Sequence, residues 1–466
     1  MNIFLHHFLS LSLFVTLLSA CSNLSQSVDL YDNDDQLHGD KLSIIANNVF
    51  ISEDDAVRVA LLYNKRNDPF TKSSMSNREV CGVQTLQLSD GQPCIYVINY
   101  ANKQGFTLVS ATRHYYPILA NSDKGNFDEV YTNSGIRIWL SEQKACIEYS
   151  LKQAEGTNTY TELWKSFENH SSSLPTKSDD INTVRSAFIS QYENNGYDCY
   201  SLSDLEGVLP SSIYDSWCVQ AEALSNPNYN YLYTSIVTRY VSQYHSVVGP
   251  LTTTKWGQDS PYNYLIPGNK LIGCVAVAMG QIMRKHEYPS SISWNNMPDS
   301  LGSTPSFYVA NLLYQLAEDV HTQYGYSSSI ATDTAALNVL KNKYDYYANW
   351  ILHSDDSTRL SISEGNPVYT GGYVSSSPTA SGHSWVCDGF DDVTLYYTYQ
   401  LHIVSISEPL HYEQTGQPYY NNSQYTYWRY NWGFKGNGDG FYLTPQYNIS
   451  HIYAYDRTDM IIRKKN

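Results

Sequence analysis

Basic residues are scarce in this chain. Lysine and arginine total 29 against 45 aspartates and glutamates, a formal net charge of -16, and the cations are scattered. No basic stripe is left to follow a phosphate backbone, which excludes ordinary nucleic-acid binding. Metal signatures are missing too. There is no Cys-x-x-Cys and no His-Glu-x-x-His, so neither a structural zinc nor a zinc protease is indicated, and no metal or cofactor is expected. The apolar stretch at the start, Phe8–Leu18, falls well short of the ~20 residues that a membrane-spanning helix needs.

What is present is enough chain for two or three cores: 466 residues, 42% of them apolar. The 43 tyrosines are expected mainly as strand and core residues. Phe8–Leu18 followed by Leu18-Ser19-Ala20-Cys21 reads as an export signal over residues 1–20, of the bacterial lipoprotein kind, with Cys21 as the lipid-bearing thiol. An ordinary secretory signal is the alternative, because the n-region offers His6 and His7 instead of lysine or arginine. Polar, acidic residues with Asp32-Asn33-Asp34-Asp35 then make 21–47 an anchor and tether. Exported cysteines can oxidise, and proximity suggests Cys81 with Cys94 and Cys199 with Cys218.

Residues 48–160 read as a unit of their own. Cys94–Tyr100 and Gly105–Ser110 form a hairpin pattern about Asn102-Lys103-Gln104, and Gly135–Leu151 has helical periodicity. Residues 161–246 read as a linker, Ser-rich over His170–Asp180, followed by a polar, Tyr-rich piece with no assignable role. The chemistry lies in 247–466. Strand-like runs follow a helical segment there, at Pro367–Thr370, His383–Phe390, Thr426–Asn431, Gly440–Thr444 and Met460–Arg463, which predicts an α+β domain of two lobes.

Gly273-Cys274 opens that helix, with Val275, Ala278, Met279 and Ile282 on one face and Pro289 as its stop. A free thiol is mostly protonated at neutral pH, and a helix N-terminus with a nearby imidazolium lowers its pKa. Gly382-His383, far downstream in a strand-like run, supplies the imidazole. A cysteine at a helix start is more often a small core residue, but its company reverses that reading. Gln258, upstream of the helix, can donate to an oxyanion with the backbone N–H of Cys274. Asn431-Trp432-Gly433, downstream of His383, offers an amide to orient the ring and an indole to shield it, the Cys-His-Asn logic of a cysteine peptidase. By contrast His286 reads as a helix-end residue, Asp388 as turn chemistry and Cys387 as a buried free thiol.

The blocks Gln258-Asp259-Ser260-Pro261-Tyr262-Asn263, Gly273-Cys274-Val275-Ala276, Glu287-Tyr288-Pro289, Asn366-Pro367-Val368-Tyr369, Gly382-His383 and Asn431-Trp432-Gly433 stand in one order. The chain thereby resembles the streptopain family of papain-like cysteine peptidases, and Ile95–Asn99 with Gly105–Ser110 resembles that family's propeptide. The resemblance implies a papain-like two-lobed peptidase domain behind a separate α+β prodomain that acts as an intramolecular inhibitor. It implies Cys274 as nucleophile, His383 as base and acid, Gln258 in the oxyanion hole, Asn431 or the backbone beside Trp432 orienting His383, and Gly382 along the substrate cleft. Partners are then protein or peptide substrates, the chain's own prodomain and, through Cys21, a membrane of the bacterial envelope. The segment between Gly389 and Asn431 is longer than the family's turn and is expected to extend a hairpin rimming the cleft. Phe434-Lys435 replaces an aromatic-glycine pair. Two rivals use the same residues: acyl transfer to an amine, and a non-catalytic surface binder that kept the fold.

Overall fold

The computed structural model describes residues 42–43, 49–65, 78–127, 134–153, 160, 163–164, 167–169, 181–224, 233–373, 382–405, 412–414, 417–444 and 455–465. The export signal with Cys21, most of the tether and the Ser-rich stretch 170–180 lie outside them. No helix among the described residues is long and apolar enough to cross a membrane.

The N-terminal unit is a four-stranded antiparallel meander, β1 (Val80–Gln87), β2 (Pro93–Tyr100), β3 (Phe106–Ser110) and β4 (Ile118–Ser122), with one helix on each face. Strand alternation sorts the core. Tyr96, Ile98 and Tyr100 pack under α1 (Glu53–Lys65), while Ile95 and Val97 pack under α2 (Ser134–Gln153). The expected hairpin and helix are both present. The unit is separate in sequence but not in its sheet. Its β4 pairs antiparallel with β12 (Gly440–Leu443), in register Ser122 with Gly440 and Ala120 with Tyr442, so one sheet runs through both units.

That sheet continues through β11 (Tyr419–Asn431), β9 (Gly382–Ser405), β8 (Val368–Tyr373), β13 (Tyr455–Lys464) and β7 (Tyr346–Leu352), with the short β10 (Tyr412–Gln414) paired to the end of β9. Its two faces carry different cores. Trp385 and Cys387 of β9 join Trp428, Tyr430 and Trp432 beneath α2, whereas Val386 joins Tyr369, Met460 and Ile462 in a core built on α5 (Cys274–His286), α6 (Phe307–Asp319) and α7 (Asp333–Asn342). Helix α5 starts at Gly273, whose φ of 104° favours glycine, and Arg284 and Lys285 suit its C-terminal end. It is buried on all sides from Val275 to Met283, not along one face, because helices cover it on one side and the sheet on the other.

Within the stretch read as a linker and unassigned segment, residues 181–224 and 233–248 form a folded layer. Strand β6 (Tyr233–Val248) pairs along β9 from Phe390 with Val248 to Ser405 with Tyr233, and β5 (Asp198–Tyr200) pairs with β6. Helices α3 (Ile181–Glu193) and α4 (Ser211–Leu224) pack on opposite faces of this extension. The insertion after Gly389 does lengthen the β9–β11 hairpin, with Tyr399 opposite Tyr419, but it carries this layer and not the rim of the cleft.

Two expectations fail for geometric reasons. Cys81 lies level with Asn99 and Tyr100, about five residues or ~17 Å along the hairpin from Cys94, while Cys199 and Cys218 pack into cores on opposite faces of the sheet. Among the described residues none of the four is in a disulfide, nor is the buried Cys387. Asp388 is not a turn residue: wholly buried in β9, it pairs with Arg429 at 2.7 Å and accepts from Thr252 N at 3.1 Å.

Candidate active site

The head of α5 and the start of β9 meet at a cavity of about 510 Å³, lined by Cys274, His383, Gln258 and Gly382 among others. Four of the residues singled out in the sequence are therefore together. Gln258 is anchored by its own carbonyl, which accepts from Ile272 N at 2.9 Å, and its side chain is left to the cavity.

His383 is only 4% exposed. Its Nε2 sits 3.0 Å from the Trp432 carbonyl oxygen, and its ring lies near Trp385 and Phe434, with centroids at 6.1 and 5.7 Å. Burial lowers its pKa to about 4 against the opposing pull of that carbonyl, so the ring is neutral at neutral pH. The cover comes from the N-terminal unit. A Cβ on Gly135, in the first turn of α2, would stand 2.6 Å from the Trp432 ring and 2.7 Å from His383 Cδ2, so backbone is packed directly on the imidazole.

Cys274 is half-buried at the head of α5. Among the described residues no hydrogen bond joins it to His383; the groups that bear on its titration are Asp333, Ser384 and the Val275 backbone. Burial raises its pKa above that of a free thiol, and the Asp333 carboxylate adds to the rise against the Ser384 contacts. Both members of the pair are neutral in this state. Strand alternation explains the arrangement: His383 shares the α2 face with Trp385, and Ser384 shares the α5 face with Val386.

Asn431 does not orient the ring. Its Oδ1 accepts from Gln281 Nε2 and Gly433 N, both at 3.1 Å, and its Nδ2 donates to the Thr254 carbonyl at 2.8 Å. The amide ties α5 to the sheet, and the next carbonyl, that of Trp432, meets His383. Trp432 N in turn donates to Asp439 Oδ1 at 3.0 Å. Burial lifts the Asp439 carboxyl to about 7, against Arg429 and the Trp432 N–H.

Several cavity residues carried little sequence signal. Lys435, at φ 58°, donates to Asp259 Oδ2 at 2.7 Å and the Ser260 carbonyl at 2.9 Å, closing the wall beside Gln258. Its place in a position normally glycine was the available clue. Ser329 Oγ donates to the Leu271 carbonyl at 2.7 Å and accepts from Gly325 N at 3.0 Å, which fixes the run Ser327-Ser328-Ser329 at the cavity edge. Arg137 reaches the cavity from α2.

The N-terminal unit holds on by more than Gly135. Trp139 Nε1 and Gln143 Nε2 each donate to the Leu443 carbonyl at 3.0 Å, and buried Glu142 pairs with Arg457 at 3.3 Å.

Two family models match the chain: Spi protease inhibitor over residues 48–147, and the Peptidase C10 family over 256–293 and 290–442. The thiol protease/hemagglutinin PrtT of Porphyromonas gingivalis is 25% identical over 188 residues, covering 31% of this chain and 21% of that protein. The match thus spans about a fifth of the length of that relative. The covered cysteine–histidine cavity lies inside the second matched region, and the helix that covers it, through residue 147, inside the first. Residues 256–442 belong to the C10 family of cysteine peptidases, and an inhibitor domain of the Spi type precedes them in the same chain.

Proposed function

We propose that the protein is a cysteine endopeptidase made as a zymogen, exported and tethered to the bacterial envelope through Cys21, and activated by removal of the N-terminal domain. The observation that carries this reading is the backbone of Gly135 against the His383 ring, in the cavity that also holds Cys274. In this reading the helical core around α5 and the sheet core around β9 are the two lobes of a papain-like domain.

Departure of α2 uncovers His383 to water, removing the burial that holds the ring neutral. The sulfur then passes its proton to the ring, giving a thiolate–imidazolium pair at a helix N-terminus. The thiolate attacks the scissile carbonyl carbon. The Gln258 side chain and the Cys274 N–H bind the oxyanion, and the imidazolium returns its proton to the leaving amine. Water, deprotonated by the same ring, then hydrolyses the S-acyl enzyme. The Trp432 carbonyl holds the ring's orientation. Gly382 at the cavity edge leaves room for substrate backbone.

The activating cut belongs between Asp180 and Val247, on the far side of the domain from Cys21, so activation also releases the peptidase from its tether. The test is expression of residues 22–466 with Cys274 and with Cys274→Ala under reducing conditions, read by intact mass. Self-processing of the Cys274 form alone is the expected result. The product should weigh roughly half to three-fifths of the whole chain's 52.9 kDa, the fraction of residues left by a cut anywhere in that interval. Equal processing of both forms, or silence of both after trypsin on a casein substrate, refutes the reading. Mature fragment retained in the membrane pellet refutes the release.

A further inference from the structure

Asp439 stands just ahead of β12, only 5% exposed, and the proposed reaction gives it no part. Its place follows from the turn before it. Gly433, Lys435, Gly436 and Gly438 all have positive φ, and the chain folds back until Asp439 Oδ1 accepts from Trp432 N at 3.0 Å. The oxygen that meets the ring belongs to the same tryptophan, its carbonyl lying 3.0 Å from His383 Nε2. A carbonyl only accepts, so Nε2 carries the ring proton and Nδ1 keeps the lone pair that can take a proton from a thiol. The direction of that carbonyl therefore sets which nitrogen is the base. Chain stiffness does not fix it, because the next residue is Gly433 at φ 74°. Hydrogen bonds do. Asn431 Oδ1 holds the peptide after Trp432, through Gly433 N at 3.1 Å, and Asp439 holds the peptide before it.

We propose that Asp439 is a positioning residue for the catalytic ring: its carboxylate fixes the backbone of Trp432, and the Trp432 carbonyl thereby holds His383 with Nδ1 free to act as the base. The inference rests on His383 being the base of the proposed function. The carboxylate reaches the ring only through that backbone. The charged and titratable groups that face it are Arg429 on β11, Asp388 on β9, Tyr442 on β12 and Asp123 of the N-terminal unit. Main chain and side chain of Asp439 have separate partners. Its carbonyl accepts from Ser122 Oγ of the N-terminal unit at 3.0 Å, and a substitution of the side chain leaves that carbonyl in place. Loss of the carboxylate thus misplaces the ring and slows cleavage. A general loosening of the turn would instead weaken the grip of the N-terminal unit and speed self-processing.

The first readout needs no turnover. Full-length protein in the Cys274→Ala background carries isotope-labelled histidine, and the His383 Nε2–H signal, assigned by its absence in His383→Asn, is followed by NMR. The pH is held near 8, where the Asp439 carboxyl, lifted to about 7 by burial, is ionised. Asp439→Ala should exchange this proton with water roughly tenfold faster than the unsubstituted chain. The second readout is self-processing of the full-length Cys274 form. Asp439→Ala should slow it roughly tenfold, whereas Ser122→Ala, which removes the docking bond, should not slow it. An unchanged Nε2–H exchange rate, or Asp439→Ala processing as fast as the unsubstituted protein or faster, overturns the proposal. Should Asp439→Ala lose its near-UV circular dichroism, Asp439→Asn decides. A neutral amide oxygen accepts more weakly than a carboxylate, so this variant should move both readouts the same way by roughly two- to fourfold, and coincidence with the unsubstituted protein overturns the proposal. An unsubstituted protein that processes nothing, even after trypsin, would sink the peptidase reading, and the NMR readout alone would still decide whether Asp439 holds the ring.

Discussion

Gly135→Ala puts the inhibitory contact to a direct test. The added methyl would lie 2.6 Å from two Trp432 ring carbons and 2.7 Å from His383 Cδ2, about 1 Å inside ordinary carbon–carbon contact. Trp432 cannot yield: it is fully buried, with Trp385, Tyr430 and Tyr442 at centroid distances of 5.2, 4.9 and 5.1 Å. His383 is held between Trp385 and the Trp432 carbonyl, so α2 itself must give way. Overpacking of this kind costs about 1–3 kcal/mol, which corresponds to roughly a 5- to 150-fold larger undocked population. The assay is the self-processing rate of residues 22–466, with Lys152→Ala at the exposed end of α2 as the comparison. Gly135→Ala should process about tenfold faster or more, while the comparison stays at the original rate. A Gly135→Ala protein with intact near-UV circular dichroism and an unchanged rate would refute the reasoning.

Three further outcomes are expected. Gln258→Ala in the processed enzyme should lower kcat by roughly 10²- to 10³-fold with little change in KM, measured on a fluorogenic peptide, because the donor acts on the oxyanion and not on bound substrate. Asn431→Ala should act first on folding. It leaves the Gln281 amide and the Thr254 carbonyl without this partner in a buried site, a loss of about 2–4 kcal/mol that a melting curve in the Cys274→Ala background will show. Acid should loosen α2. His383 has a folded-state pKa depressed to about 4 from 6.5, so its contribution is full above pH 6.5 and is lost as pH falls toward 4. Hydrogen exchange of the α2 amides, corrected for intrinsic rates, should accelerate across that window and should not do so in His383→Asn.

Much of the cavity's membership was legible because it depends on residue type and order. Cys274 after a glycine, Gln258 upstream and His383 on a strand are local facts, and the fold brings all three to one cavity. What sequence could not convey were choices between neighbours. Asn431 and Trp432 both offer an oxygen to His383, and only the packing of Gln281 and Thr254 around the amide decides for the carbonyl. Residues 181–248 gave no signal because β6 carries polar residues and tyrosines on a face that no apolar pattern marks, and its pairing partner β9 lies far downstream, beyond the whole helical core. The Gly135 contact is illegible for a different reason: glycine says that backbone comes close to something, and only docking says to what.

The same logic separates the surroundings of the two groups. Successive residues of β9 face opposite sides, so His383 shares the α2 face with Trp385 and Ser384 shares the α5 face with Val386. The helix of the N-terminal unit therefore bears on the ring and not on the helix that carries Cys274. Gly135→Ala should then speed iodoacetamide alkylation of Cys274 through His383, and in a His383→Asn background the same substitution should leave the rate unchanged. An equal gain in both backgrounds would mean that α2 acts on the thiol directly and that the ring plays no part in its release.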